Sequence, residues 1–268
     1  MSSTDYYPQR IICLTEETTE TLYLLGAQDR IVGISGFTVR PPQARKEKPK
    51  VSTFLDAEIE DILALAPDLV IGFSDIQASI AKDLIEQGIT VWVNNYRSVK
   101  GILSMMVQLG VLVGAESKAR GLVHEIEQLI ADIRAETAQW HYRPKVYFEE
   151  WFDPLISGIQ WVSELVEIAG GVEVFPEYSR QSLAKNRIVR DPNLVIEKNP
   201  DIILASWCGK MVKEQKIRER TGWSAISALQ EDEIHEIKSS IILQPGPAAL
   251  LEGLPIIYRI FKQWYLRQ

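Results

Sequence analysis

Residues 58–74 read E-I-E-D-I-L-A-L-A-P-D-L-V-I-G-F-S, and the order of their parts decides the fold. A short helical run up to Ala66 meets Pro67-Asp68, and an apolar run from Leu69 to Phe73 follows at once. Proline stops a helix because it has no N–H and restricts the residue before it. A short run rich in Val, Ile and Leu after such a stop fits a buried parallel strand. The same order returns at residues 194–207, where L-V-I-E-K-N meets Pro200-Asp201 and then I-I-L-A-S-W. One such unit in each half of a 268-residue chain predicts two similar α/β lobes, with the function in the cleft that two lobes make.

Working outward, the first lobe takes residues 1–113. Strand 10–14 leads into the acidic turn Thr15-Glu16-Glu17 and a helix ending near Gly26. Strand 30–35 and a Pro-Pro loop with Arg40, Arg45, Lys46, Lys48 and Lys50 precede the repeated unit; these charges have no regular spacing and read as a solvated loop. A helix over 76–87, strand 89–94 and a helix over 98–113 complete the lobe. Residues 114–139 are the connector. Ala119, Leu122, Val123, Ile126, Leu129, Ile130 and Ile133 fall on one helical face, and the helix should run roughly 36 Å.

The second lobe, 140–268, opens with strand 145–150, a loop holding Ser157-Gly158, and a helix over 160–169 that Gly170-Gly171 stops. Strand 234–238 and a final helix close the chain, with Pro247 in that helix's first turn and a kink expected at Pro255. The fold class is α/β: two Rossmann-like lobes with mostly parallel sheets joined by one long connecting helix.

Composition narrows the function. A net charge of −7 excludes a general nucleic-acid binder, which would be basic. No apolar run approaches the roughly 20 residues of a membrane helix, so no membrane insertion is expected. The polar start M-S-S-T-D-Y-Y-P-Q-R has no apolar secretory core, which predicts a cytoplasmic protein as written and a periplasmic one if a leader has been removed. Cys13 and Cys208 lie in apolar strand patterns and are expected to be buried thiols.

Ligands of parallel sheets bind outside the carboxyl ends of the strands. Those ends collect Thr15, Glu16, Glu17, Phe37, Phe54 and Phe73 in the first lobe. In the second they collect Glu149, Glu150, Trp151, Ser157 and Trp207, with Gln244 and Gly246 after the last strand. The first strand of each lobe ends in Glu-Glu, which predicts an acidic, aromatic-lined cleft. Other chemistries lack support. There is no G-x-G-x-x-G and no Walker loop. His124, His141 and His235 have no metal-ligand spacing, and Ser157 is not in a nucleophile elbow. No catalytic residue, resident metal or cofactor is expected, and the chain reads as a binding protein.

The chain resembles the class III periplasmic-binding-protein fold, close to the cobalamin-binding proteins of ABC importers. The matching stretches are R-I-I-C-L-T-E-E-T-T-E-T-L-Y-L-L-G (10–26), I-V-G-I-S-G-F (31–37), P-P-Q-A (41–44), K-V-S-T-F (50–54), I-E-D-I-L-A-L-A-P-D-L-V-I-G-F (59–73) and S-G-I-Q-W-V-S-E-L-V-E-I-A-G-G (157–171). The resemblance implies a tetrapyrrole-like ligand, most simply a corrinoid, held between the lobes by aromatics at Phe37, Phe54 and Phe73. It also implies an ABC importer permease as partner, docked through one acidic residue per lobe. Glu60 matches the first of these, while Asn193 stands near the second, so weak docking is expected.

A corrinoid carries amide donors and broad apolar edges, which carboxylates and aromatic walls suit. Citrate-type ferric siderophores would call for arginines, and none stands at the strand ends. Ferric siderophore, haem, a divalent metal on Glu16, Glu17, Glu149 and Glu150, and a chelatase-like enzyme on the same scaffold are the alternatives.

Overall fold

Strand Ile11–Cys13 (β1) is wholly buried, as the middle strand of a parallel sheet must be. The computed structural model, which describes residues 6–53 and 57–268, places it between Ile31–Ser35 (β2) and Leu69–Phe73 (β4). Lys50–Ser52 (β3) and Val91–Asn94 (β5) take the edges, giving the all-parallel order β3-β2-β1-β4-β5. Ile12, Leu14, Val51, Ile62, Val70, Ile80 and Leu84 form the core packed on this sheet.

A second sheet contains Lys145–Phe152 (β6), Leu155–Ser157 (β7), Val172–Glu173 (β8), Ile202–Ala205 (β9) and Ile234–Glu236 (β10). Its order is β10-β9-β6-β7, with β8 paired to the start of β6. All pairs are parallel except β6 with β7, a hairpin through Asp153-Pro154. Here the structure corrects the sequence reading, which stopped β6 at residue 150 and made 151–158 a loop. The added residues Trp151 and Phe152 gain ladder partners in Ile156 and Leu155. Tyr147, Phe175 and Trp223 meet edge to face in the core below, with centroids 5.8 and 6.0 Å apart.

The chain divides into two compact units. The first is Met1–Tyr96 with Lys100–Glu125, and the second is Arg97–Val99 with Ile126–Gln268. Helix Glu116–Thr137, with 22 residues, begins in the first and ends in the second.

The repeated Pro-Asp has one atomic explanation in both sheets. The residue before each proline takes a left-handed φ, 42° at Ala66 and 43° at Asn199, which ends the helix and reverses the chain. Asp68 then accepts from the backbone amides of Gln9 and Arg10 at 2.6 and 2.9 Å, and its own N–H donates to the Arg10 carbonyl at 3.0 Å. Asp201 does the same with Lys145, accepting at 2.7 Å and donating at 2.8 Å. The long side chain at each strand start reaches back to the spent helix: Arg10 donates to the Leu65 and Ala66 carbonyls, Lys145 to that of Lys198. Each motif thus joins a helix end, a first strand and a second strand at one point.

The Gly170-Gly171 stop behaves as read. Gly170 takes φ 94° beyond helix Gln160–Ile168, a conformation that costs glycine least. Pro255 lacks an N–H, and the chain answers with a π-helical turn over Ala249–Gly253 before helix Leu254–Tyr265.

Candidate functional site

At the carboxyl end of β1 the acidic turn is buried rather than solvated. Helix Glu16–Leu24 starts there, with Glu16 and Glu17 in its first turn, where the helix dipole favours negative charge. Glu17 accepts from the Thr15 hydroxyl at 2.6 Å. Glu16 accepts from the Val39 amide at 2.7 Å with one oxygen, and its other oxygen is buried without a partner. Burial pushes both carboxyls up to about 7; the Thr15 hydroxyl and the Val39 amide work against the shift, and neighbouring Glu20 adds to it. Glu20 in turn pairs with Arg40 at 2.9 Å.

The first-unit aromatics stand at strand ends on either side of β1. Phe37, just beyond β2, is 52% exposed. Phe73 ends β4 half-buried, its ring edge-on to Tyr96 at 5.4 Å. Sequence reading missed Tyr96, although the rule that selected Phe73, an aromatic at a strand end, applies to it just past β5. Buried Gln77 fixes this edge: it accepts from the Phe73 amide at 2.8 Å and donates to the Leu14 carbonyl at 3.3 Å. Phe54 lies outside the described residues.

The end of β6 overturns one expectation outright: arginines do stand at the strand ends. Glu149, fully buried, takes a two-point fork from Arg220, at 2.5 and 3.0 Å, and a third bond from Trp207 Nε1 at 3.0 Å. Glu150 takes the same fork from Arg187, at 2.5 and 2.9 Å. The β6–β7 register shifts between Glu149 and Trp151, so Glu150 sits at a bulge, and the two carboxylates serve separate arginines. Bidentate geometry of this kind is the strong form of the contact. Arg187 also donates to the Ser157 carbonyl at 2.7 Å, and the Ser157 amide and hydroxyl donate to the Arg187 carbonyl. Ser157 therefore holds Arg187 in place.

Trp207 is 2% exposed and packs in the second-unit core, its ring 4.4 Å from that of Phe152. Half-buried Trp151 lies 5.2 Å from Phe152 and donates to the Asp153 carbonyl. The Lys210 ammonium sits 4.9 Å from the Trp151 ring centre, and that of Lys216 sits 4.4 Å from the centre of Phe152. Arg220 lies over the Trp223 ring at 4.4 Å. Beside them a cavity of about 740 Å³ is lined by Phe152, Asp153, Arg190, Asn193, Arg220 and Trp223, among others. The Trp223 Nε1, buried, has no hydrogen-bond partner.

Gln244 and Gly246 lie after the last strand, in a turn that follows a short helix, Ser239–Ile242. Cys208 corrects another expectation: β9 ends at Ala205, and Cys208 is exposed in the turn beyond it, while Cys13 is buried as read. Glu60 is exposed in the first turn of helix Ile59–Ala64. Asn193, also exposed, opens helix Asn193–Lys198, where Asp191 accepts from its amide. Among the described residues no three His, Cys, Asp or Glu side chains are grouped to hold a metal ion.

Each of the two units is built on an α/β sheet whose strand ends carry charged and aromatic side chains. The chain belongs to the periplasmic binding protein family, which matches residues 11–241, and is a solute-binding protein of the ABC importer type. It is 26% identical over 253 residues to the uncharacterized ABC transporter substrate-binding lipoprotein YvrC of Bacillus subtilis, covering 92% of this chain and 78% of that protein. It is 27% identical over 255 residues to the vitamin B12-binding protein of Vibrio cholerae, covering 90% and 85%. Among solved structures, the periplasmic haem-binding protein of Roseiflexus superposes with a TM-score of 0.80 at 20% identity, covering 96% and 99%. The periplasmic vitamin B12 binding protein of Vibrio cholerae gives 0.77 at 23%, covering 97% and 99%. No helix of the described residues is long and apolar enough to cross a membrane.

Proposed function

We propose that this chain binds a corrinoid, without catalysis, through the strand-end side chains of its two units, and delivers it to an ABC importer permease. The observation that carries this reading is the set of aromatics at the strand ends of the first sheet, exposed Phe37 after β2 and the Phe73–Tyr96 pair at β4 and β5. Flat apolar faces of this kind match the broad edges of a corrin ring. The arginine forks support it too, because Arg187 and Arg220 are already neutralised by Glu150 and Glu149. A ligand rimmed by neutral amides meets no uncompensated buried charge there. The similarity to a vitamin B12-binding protein over most of both chains points the same way.

A second reading, an anionic chelate such as haem or a ferric siderophore, is favoured by Lys210 and Lys216 against Trp151 and Phe152. Visible absorption titrations with cyanocobalamin, dicyanocobinamide and haemin separate the two. Saturable shifts of the corrinoid bands are the expected result. A saturable haem shift, with no response from either corrinoid, overturns the proposal in favour of the second reading.

A further inference from the structure

We infer that Glu149 and Glu150 are charge-selectivity residues: each cancels an arginine at the end of β6 and so sets the second unit to accept neutral rather than anionic tetrapyrroles. The inference deepens the solute-binding reading and rests on it for the location of the ligand. Buried ion pairs add little to stability compared with apolar residues of similar size, because both charges lose their water. Two such pairs on adjacent residues, at the sheet end where ligands bind, therefore ask for another role. The Glu149–Arg220 pair has side-chain exposures of 0% and 16%, with the arginine outermost, lining the cavity of about 740 Å³. The Glu150–Arg187 pair has 16% and 3%, with the carboxylate outermost. One pair shows solvent its guanidinium and the other its carboxylate, and each charge is compensated from behind.

Removing a carboxylate while keeping its shape leaves a buried guanidinium with no counter-charge. A ligand carboxylate near that guanidinium then gains the long-range attraction that the counter-charge had cancelled. A ring of neutral amides gains no such attraction. The selectivity thus turns on a charge difference and not on size, and a matched pair of ligands reads it: dicyanocobinamide, rimmed by amides, and haemin, with two propionates.

The test compares dissociation constants for those two ligands in wild type, Glu150→Gln, Glu150→Asp and Glu149→Gln, each checked for folding by thermal melting. The ratio of haemin affinity to cobinamide affinity should rise at least about tenfold in Glu150→Gln and in Glu149→Gln, since an uncompensated partly buried charge is felt strongly. Glu150→Asp keeps the charge, so its ratio should stay near that of wild type. If Glu149→Gln does not fold, Glu150→Gln alone decides. A folded Glu150→Gln with the wild-type ratio, or with no binding of either ligand, overturns the inference. If wild type binds no corrinoid but Glu150→Gln gains haemin, the corrinoid reading fails and the charge selectivity stands.

Discussion

Asp201 and Lys145 are joined in both directions, carboxylate to amide at 2.7 Å and amide to carbonyl at 2.8 Å, and Asp68 repeats this with Arg10 in the other sheet. The aspartate ties the start of one strand to the start of its neighbour just where the preceding helix has ended. Its loss leaves backbone amides without their acceptor at a point where three elements meet. Asp68→Ala should cost about 1–3 kcal/mol, and Asp201→Ala a similar amount, the range for stranding a donor. Urea denaturation of each variant measures it; a change below about 0.5 kcal/mol in both would mean that the Pro-Asp repeat is merely a helix stop.

The sequence reading found the motif but not its reason. A proline followed by an apolar run is visible in one dimension, because proline acts on its immediate neighbours. The aspartate's partners lie 58 and 56 residues away and leave no local trace. The same limit hid the arginines: Arg187 is 37 residues from Glu150, and Arg220 is 71 from Glu149. Strand ends were legible, so Phe37, Phe73, Glu149 and Glu150 could be named. Which of them face a ligand was not, since Trp207 proved to be core and Glu149 lies fully buried beside it. Trp151 and Phe152 read as loop because the β7 partner that extends β6 is only three residues long.

The aromatics should separate by what they lose. Phe73→Ala removes a half-buried strand-end ring and should weaken corrinoid binding by about 1–3 kcal/mol, the worth of burying a large apolar side chain. Trp207→Ala empties a core position and should instead cost about 3–5 kcal/mol of stability. Calorimetric titration and thermal melting on both variants test the division. Equal affinity loss with unchanged melting in Trp207→Ala would place that ring on the ligand.

Stability should fall as pH rises from about 5 to 8. Glu16 and Glu17 are held near 7 and Glu173 near 8, against an ordinary 4.5, with burial the first cause in each. The folded chain therefore binds protons more tightly than the unfolded chain. The stabilisation is complete below about 4.5 and is lost as pH climbs through the folded values. Glu17→Gln removes one such group and should flatten the profile of melting temperature against pH. A melting temperature that rises steadily from pH 5 to 8 in wild type would contradict the assignment.

Docking to a permease should be lopsided. A carboxylate on each unit suits a pair of basic sockets, yet the two units differ at the matching place. The first unit offers exposed Glu60, flanked by exposed Glu58 and Asp61. In the second, exposed Asn193 carries no charge, and the neighbouring Asp191 carboxylate is turned onto the Asn193 amide at 2.9 Å. One strong contact and one weak one should give measurable but modest affinity for importer membranes. Glu60→Ala should abolish it, and Asn193→Glu, by supplying the second carboxylate, should raise it about tenfold, the effect of one well-placed charge pair worth roughly 1.4 kcal/mol. Sedimentation of the purified protein with importer-containing membranes measures both. Undiminished binding by Glu60→Ala would remove this face from the interface, and a neutral Asn193→Glu would show that the second unit docks elsewhere.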